Sequence, residues 1–339
     1  VKSAAVGSLQ PPIRRIAVLR ALRLGDLLCA VPALRALRGA FPHAHITLIA
    51  LDWAKMMLDR FPHYLDGFIA FPGHPGMPEQ PARVEEFPQF LQSVQRSKFD
   101  LLLQMQGGGA ISNPLVDLMG ARQTAGFFQP GGYCPDGNRH FPYPEQGHEI
   151  NRLLSLIEYL GIPTAGEELE FPVFQRDLDE IARLARGSGL EDGEYVVLHP
   201  GASNEEKRWP VEKFIVLAQE FNRRGFRVVI SGVASEAALC ETIAGGAGSG
   251  VLTLAGRTGL GGLAALLEGA RLLVCNDTGI SHLAAALQTP SVVLFSKTEP
   301  ERWAPLDGEL HRVIFPAGQA GPDDVLSAAE IAVQDVLYR

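Results

Sequence analysis

At 339 residues the chain is longer than one hydrophobic core ordinarily sustains, and it fits two domains. Its 46% apolar and 20% charged residues are those of a globular protein, and its 36 glycines and 24 prolines suggest many short turns. The formal net charge of -8 is uneven: residues 1–165 hold 15 Lys/Arg against 13 Asp/Glu, and the remainder 15 against 25, a balance that argues against a nucleic-acid binder with a basic face.

In chain order, the organised part begins at Ile13. IRRIAVLRA reads as a strand, LRLGD as a turn, and LLCAVPALRALRGAF as a helix with Pro32 near its start, where a missing donor does least harm. HITLIA (45–50), DGFIAF near residue 69 and DLLLQMQ (100–106) read as further strands. Residues 72–88, rich in Pro and acidic side chains, and 126–147, rich in Gly, Pro and aromatics, read as long loops or lids. HEINRLLSLIEYLG puts Ile150, Leu153, Leu154, Ile157 and Leu160 on one helical stripe. After a connector with a polar helix the alternation restarts. YVVLHPG, FRVVISG, RLLVCND and PSVVLFS are strands; VEKFIVLAQEFNRRG, GGLAALLEGA and GISHLAAALQ are helices. Such strands, buried on both faces, predict parallel sheets covered by helices, with ligand crevices at the carboxyl ends of the strands.

The four cysteines, Cys29, Cys134, Cys240 and Cys275, form no CxxC pair and fit no zinc module. Buried free thiols and a reducing compartment are the expectation. VKSAAVGSLQPP lacks the apolar stretch of a signal peptide, and no uninterrupted apolar run is long enough to span a bilayer. The expected location is cytoplasmic, with peripheral contact at the inner face of the cell membrane left open.

Three turns can carry chemistry. The first holds Arg20, Arg23, Leu24, Gly25 and Asp26. Asp26 is either a base at the mouth of a cleft or a cap of the next helix. Gly25 would allow a tight turn or close substrate approach, and Arg20 and Arg23 would meet phosphate or acceptor anions or lie solvated on the surface. The turn lacks the GxGxxG dinucleotide fingerprint. The second is HPGAS (199–203) with Lys207, Arg208 and Trp209: Ser203 offers a hydroxyl and Lys207 a mobile cation within reach of a diphosphate, whereas His199 reads as structural. The third is Cys275–His282, CNDTGISH, where Thr278, Gly279 and neighbouring amides open a helix whose free N–H groups and dipole favour phosphate. There His282 either reaches the same phosphate or lies on the surface. Glu236, in SGVASE, would accept from ribose hydroxyls or sit in the first turn of a helix. Trp303 braces the loop KTEPERWAPLD or covers part of a ligand.

VLRALRLGDLLCAVPALRALRGAFP, VVLHPGASNEEKRWPVEKF and NDTGISHLAAALQTPSVVLFSKTEPERWAP, in this order and spacing, resemble the heptosyltransferase-like glycosyltransferases of family nine over about residues 13–316. The resemblance implies the α/β GT-B architecture, two Rossmann-like domains with parallel sheets facing a central cleft. It assigns residues 13–165 to an acceptor-side domain joined by analogy to a C-terminal helix (322–339), 166–192 to a connector, and 193–316 to a donor domain. The implied reaction moves a sugar from an ADP-linked donor, inverts the anomeric carbon and needs no resident metal or permanently bound cofactor. The implied partners are the nucleotide sugar and a glycan or glycolipid acceptor, commonly a lipopolysaccharide inner core, with no nucleic acid.

By the same resemblance Asp26 aligns with the catalytic carboxylate, Lys207 with a donor phosphate ligand, and Glu236 with the holder of the adenosine ribose. Asp277 aligns with a donor-sugar ligand, and Thr278, Gly279 and His282 with the diphosphate-binding turn. The chain departs from the family at Asn204, Glu205 and Glu206, and in the loops FPGHPGMPEQPARVEEFPQF and FFQPGGYCPDGNRHFPYPEQGHE, on the acceptor side. A two-domain nucleotide-sugar epimerase, a non-catalytic sugar or nucleotide binder and a nicotinamide oxidoreductase are the alternative readings.

Overall fold

The computed structural model describes residues 9–186, 190 and 192–337. The first eight residues lie outside the described residues, as do 187–189 and 191 of the expected connector and 338–339 of the expected C-terminal segment. The chain divides into two compact units, residues 1–168 and 169–339.

The first unit is built on β1 (Arg15–Leu19), β2 (His45–Ala50), β3 (Gly67–Ala70), β4 (Leu101–Gln104), β5 (Thr124–Phe128) and β6 (His140–Pro142). They form one parallel sheet in the order β3-β2-β1-β4-β5-β6. The chain steps outward from β1 through β3, then returns to add β4 on the other side of β1. The order therefore reverses between β1 and β4, and a ligand crevice belongs at the carboxyl ends of that pair. Ile16 to Leu19 and Leu101 to Leu103 are almost wholly shielded from solvent, as central strands covered on both faces require.

The helix read as LLCAVPALRALRGAF is two helices, α1 (Leu24–Leu28) and α2 (Val31–Ala40). Pro32 is the reason: its ring would clash with the carbonyl four residues back, so the helix breaks at Cys29–Ala30 and restarts with Pro32 in its opening turn. The helix read near 147–160 is present as α6 (Glu149–Tyr159) and packs on α2. The two supposed loops hold more structure than expected. The first, which follows α3 (Met56–Arg60) and β3, ends in a 3-10 turn at Val84–Glu86 and the start of α4 (Phe87–Arg96), whose Phe90 and Val94 enter the core. The second begins in β5, contains β6 and follows α5 (Ser112–Leu118).

The second unit repeats the plan with α7 (Gln175–Leu184), β7 (Tyr195–His199), α8 (Val211–Arg223), β8 (Arg227–Ile230), α9 (Ala237–Ala247), β9 (Val251–Thr253), α10 (Leu260–Glu268) and β10 (Leu272–Asn276). It continues through α11 (Gly279–Ala286), β11 (Ser291–Leu294), α12 (Pro300–Trp303), β12 (His311–Ile314) and α13 (Pro322–Leu337). The parallel sheet runs β12-β11-β10-β7-β8-β9, so its order reverses between β7 and β10. The core on one face joins Val196, Leu198, Val274 and Val292 to Trp209, Phe214 and Phe221.

Two domain assignments are corrected by this packing. The connector is not a separate spacer: α7 packs on α10, and the Glu180 carboxylate accepts the Gly259 amide at 2.7 Å. The C-terminal helix, expected to cross to the first half, lies in the second unit on α8, β11 and β12. Val325, Leu326, Ala329 and Ala332 share the core of Trp209, and the carbonyl just ahead of the helix, that of Ala320, accepts from Lys213 Nζ at 2.6 Å.

Candidate active site

The three turns singled out in the sequence stand at the carboxyl ends of the strands flanking the two reversals: Arg20–Asp26 after β1, residues 200–208 after β7 and Asp277–His282 after β10.

In the first unit the backbone leaves β1 into α1, with Arg23 in extended conformation at its N-cap. Asp26 is half-buried in the first helical turn, and the backbone N–H groups of Arg23 and of Asp26 itself lower the proton affinity of its carboxyl. The N-cap of α1 is Arg23, so Asp26 stands inside the first turn and does not occupy the cap position, and its basicity is set by the surroundings. Burial pushes the Asp26 carboxyl above the ordinary carboxylate range, Arg20 opposes this, and the negative charge of Glu149 adds to it.

Arg20 is a correction. It is 1% exposed and its donors are used inside the protein: Nε to the Asp26 carbonyl at 2.7 Å, Nη1 to the Met105 carbonyl and Nη2 to Glu149 Oε1 at 3.1 Å. A guanidinium so engaged braces the turn, and it is neither a solvated surface arginine nor a cation open to an acceptor. Gly25 is likewise buried and helical, so no left-handed turn is made there. Arg23 is exposed. The neighbouring loop after β4 is held by Gln106, whose Oε1 accepts the Ala21 amide at 2.7 Å. Gly109, at φ +88°, lies where any side chain would meet Asn113 and the Phe127 carbonyl.

In the second unit, Asn204 starts a 3-10 turn over Glu205–Lys207 by accepting the Glu206 amide at 3.0 Å. Glu205 pairs with Arg208 at 3.1 Å, and Glu206 lies 3.7 Å from Lys297. The acidic residues that set this turn apart are thus engaged with their own neighbours, and the turn delivers Lys207 to Asp277, with Nζ 2.8 Å from Oδ2. The same carboxylate oxygen accepts from Thr298 Oγ1. Asp277 is buried, whereas the Lys207 side chain is 23% exposed. Thr278 follows as the extended N-cap of α11, with Oγ1 3.4 Å from the Asn276 carbonyl, and Gly279 begins the helix, whose first amides have no intrahelical acceptor. Ser203 is exposed in the turn after β7.

His282 is not on the surface. It is 3% exposed, in the first turn of α11, and its ring meets Trp303 edge-on at 6.4 Å. The Arg302 guanidinium lies over the other partner of that pair, 4.9 Å from the Trp303 ring centre. Trp303 therefore braces its loop against the start of α11. His199 is structural, as read: it closes β7, its Nδ1 is 3.0 Å from Ser231 Oγ, and burial lowers its proton affinity against the pull of Glu236. Glu236 accepts the Val233 amide at 2.9 Å and sits where a side chain on Gly201 would collide with its carboxylate. Glycine at 201 is what lets the turn after β7 close over this carboxylate. Cys29, Cys240 and Cys275 are buried and Cys134 is partly exposed, and none of the four is in a disulfide.

Asn276 has a role that the sequence reading did not give it. Wholly buried, it accepts the Trp209 amide at 2.9 Å and donates to the Pro200 carbonyl at 2.7 Å, tying the turn after β7 to that after β10. Asn276→Leu should orphan both groups, at about 1–3 kcal/mol for each. A denaturant titration checks this, and an unchanged midpoint would contradict it. Thr298 and Glu149 were also missed; the loop holding Thr298 was visible, but nothing local pairs either residue with its partner. Among the described residues no group of three or more His, Cys, Asp or Glu is placed to hold a metal ion, and no helix is long and apolar enough to cross a membrane.

The fold has close counterparts among solved structures. A glycosyl transferase family 9 protein from Veillonella parvula DSM 2008 is similar with a TM-score of 0.81 at 21% identity, covering 98% of this chain and 99% of the other. The E. coli ADP-heptose lps heptosyltransferase II is similar with a TM-score of 0.74 at 21% identity, over 95% and 99%. Two parallel sheets, each flanked by helices, make this a GT-B protein of two Rossmann-like domains. The model of glycosyltransferase family 9 (heptosyltransferase) matches residues 88–325, and the chain belongs to that family. Lipooligosaccharide heptosyltransferase 2 of Haemophilus ducreyi is 25% identical over 298 residues, 84% of this chain and 83% of the relative.

Proposed function

We propose that the protein transfers a heptose from an ADP-linked donor to a lipopolysaccharide-core-like glycan, with inversion at the anomeric carbon. The observation that carries this reading is the turn in which Lys207 meets Asp277 at the amide-rich start of α11, beside the strand-order reversal of the second sheet. Family membership and the heptosyltransferase relatives support the choice of sugar. The donor's diphosphate would lie on the amides of Thr278 and Gly279, with Lys207 exchanging its bond to Asp277 for phosphate oxygens and Asp277 turning to the sugar hydroxyls. Ser203 would add a hydroxyl contact, and His282 would support the turn from within. Glu236 would accept from the ribose.

The reaction is a single displacement. Asp26 removes the proton of the acceptor hydroxyl, that oxygen bonds to the anomeric carbon, and the bond from that carbon to the diphosphate breaks as ADP leaves with its electron pair. Lys207 and the amides take up the growing negative charge, and donors fixed in advance do so at least reorganisation cost. No resident metal is invoked. The glycolipid acceptor suits an enzyme on the cytoplasmic side of the membrane surface, and Arg23, exposed at the start of α1, is the cation nearest to Asp26 in sequence for an anionic acceptor.

Binding calorimetry with ADP-heptose, ADP, UDP and GDP tests the donor. The expected result is a preference for the two adenine ligands. Equal binding of all three diphosphates would remove the ADP assignment and leave the fold and family as they stand.

A further inference from the structure

Behind Asp26 lies a row of buried charges, Arg20, Glu149 and Arg152. Arg20 and Glu149 are 129 residues apart in the chain and 3.1 Å apart in space, both buried. The second oxygen of Glu149 is paired with Arg152, which is itself anchored by Nε to the Pro144 carbonyl at 2.8 Å and lies over the Tyr143 ring, 4.9 Å from its centre. The row therefore runs from the loop after β6, through the start of α6, to the loops after β4 and β1, and it ends on the Asp26 carbonyl.

We propose that Glu149, clamped between Arg20 and Arg152, is a positioning residue for Asp26, acting on it through the Arg20 guanidinium. The inference rests on the reading of Asp26 as the base. The turn needs Arg20, because its Nε and Nη1 tie the backbone of Asp26 to that of Met105. A lone guanidinium beside a carboxylate would draw the proton affinity of that carboxylate down and weaken it as a base. Glu149 offsets the Arg20 charge and leaves the brace intact, and Arg152 holds the other carboxylate oxygen of Glu149 in place. The charged groups acting on Asp26 are thus Arg20 from the end of β1 and Glu149 from α6, with Arg152 one step behind. The neighbouring Cys29 is a buried thiol that burial keeps protonated.

The test is the acid limb of kcat/KM. Asp26 with a raised pKa is idle as a base until the pH exceeds that pKa, so removing a negative neighbour moves the limb down and removing a positive one moves it up. Glu149→Gln should shift the limb down by about one pH unit. Arg152→Gln should shift it up by a smaller amount, and it carries the test if Glu149→Gln does not fold. A row that merely stabilised the fold would lower thermal stability in both variants and leave the limb in place, and that result would overturn the proposal. The 13C titration of the Asp26 carboxyl in the same proteins separates this inference from the one beneath it. If Asp26→Asn retains turnover, the base reading fails; if the carboxyl titrates at the same pH with and without the Glu149 charge, the coupling fails.

Discussion

Asp26→Asn should bind the donor as the parent does and transfer the sugar about 10²–10⁴-fold more slowly. The amide has the shape of the carboxylate, and its oxygen can still accept backbone N–H groups at the start of α1, where Arg23 and Asp26 itself now donate. The helix start and the Arg20 bond to the backbone carbonyl at 2.7 Å are untouched by the change. What is lost is the capacity to take a proton, so the loss belongs in kcat and not in donor affinity. Transfer assays and donor calorimetry on the same preparation measure both. Turnover near the parental rate would assign the base elsewhere, and lost donor binding would mean that the turn after β1 serves the donor.

Lys207→Ala should weaken binding of the ADP-sugar by about 10–150-fold, the loss of one charge-assisted bond of about 1.5–3 kcal/mol. The substitution also leaves the buried Asp277 with Thr298 as a remaining partner and an uncompensated charge beside the diphosphate. Folding stability should fall as well, because the substitution strips the buried Asp277 carboxylate of its cation, so donor binding is read on protein shown to be folded. Unchanged donor affinity in a folded variant would move the diphosphate away from this turn.

The residues of the two larger turns were readable in sequence because each follows a hydrophobic strand and precedes an apolar helix. In CNDTGISH and VVLHPGAS the change of period itself marks the carboxyl edge of a sheet. That both stand where the strand order reverses was not readable, since β7 and β10 are separated by more than seventy residues and are neighbours only in the sheet. Strands of three or four residues at the sheet edges, β6, β9 and β12, carry too few side chains to show a period. Arg20 misled because an arginine just past a strand end, in a turn with Arg23 and Asp26, looks solvated, while its counter-charge, Glu149, lies at the start of a helix far along the chain. Asn276 was visible within the constellation, but its role depends on Trp209 and Pro200, turns away. The helix after Pro322 was placed by analogy, and its own alanine-rich stripe into the Trp209 core decides otherwise.

The central claim is tested most directly by incubating the protein with ADP-heptose, with and without a deacylated lipopolysaccharide core, and following ADP release and the anomeric configuration by NMR. The account predicts ADP release that requires the acceptor, and a new glycosidic bond of configuration opposite to the donor's. A changed donor sugar in the absence of acceptor, or a product that keeps the donor's configuration, would contradict it.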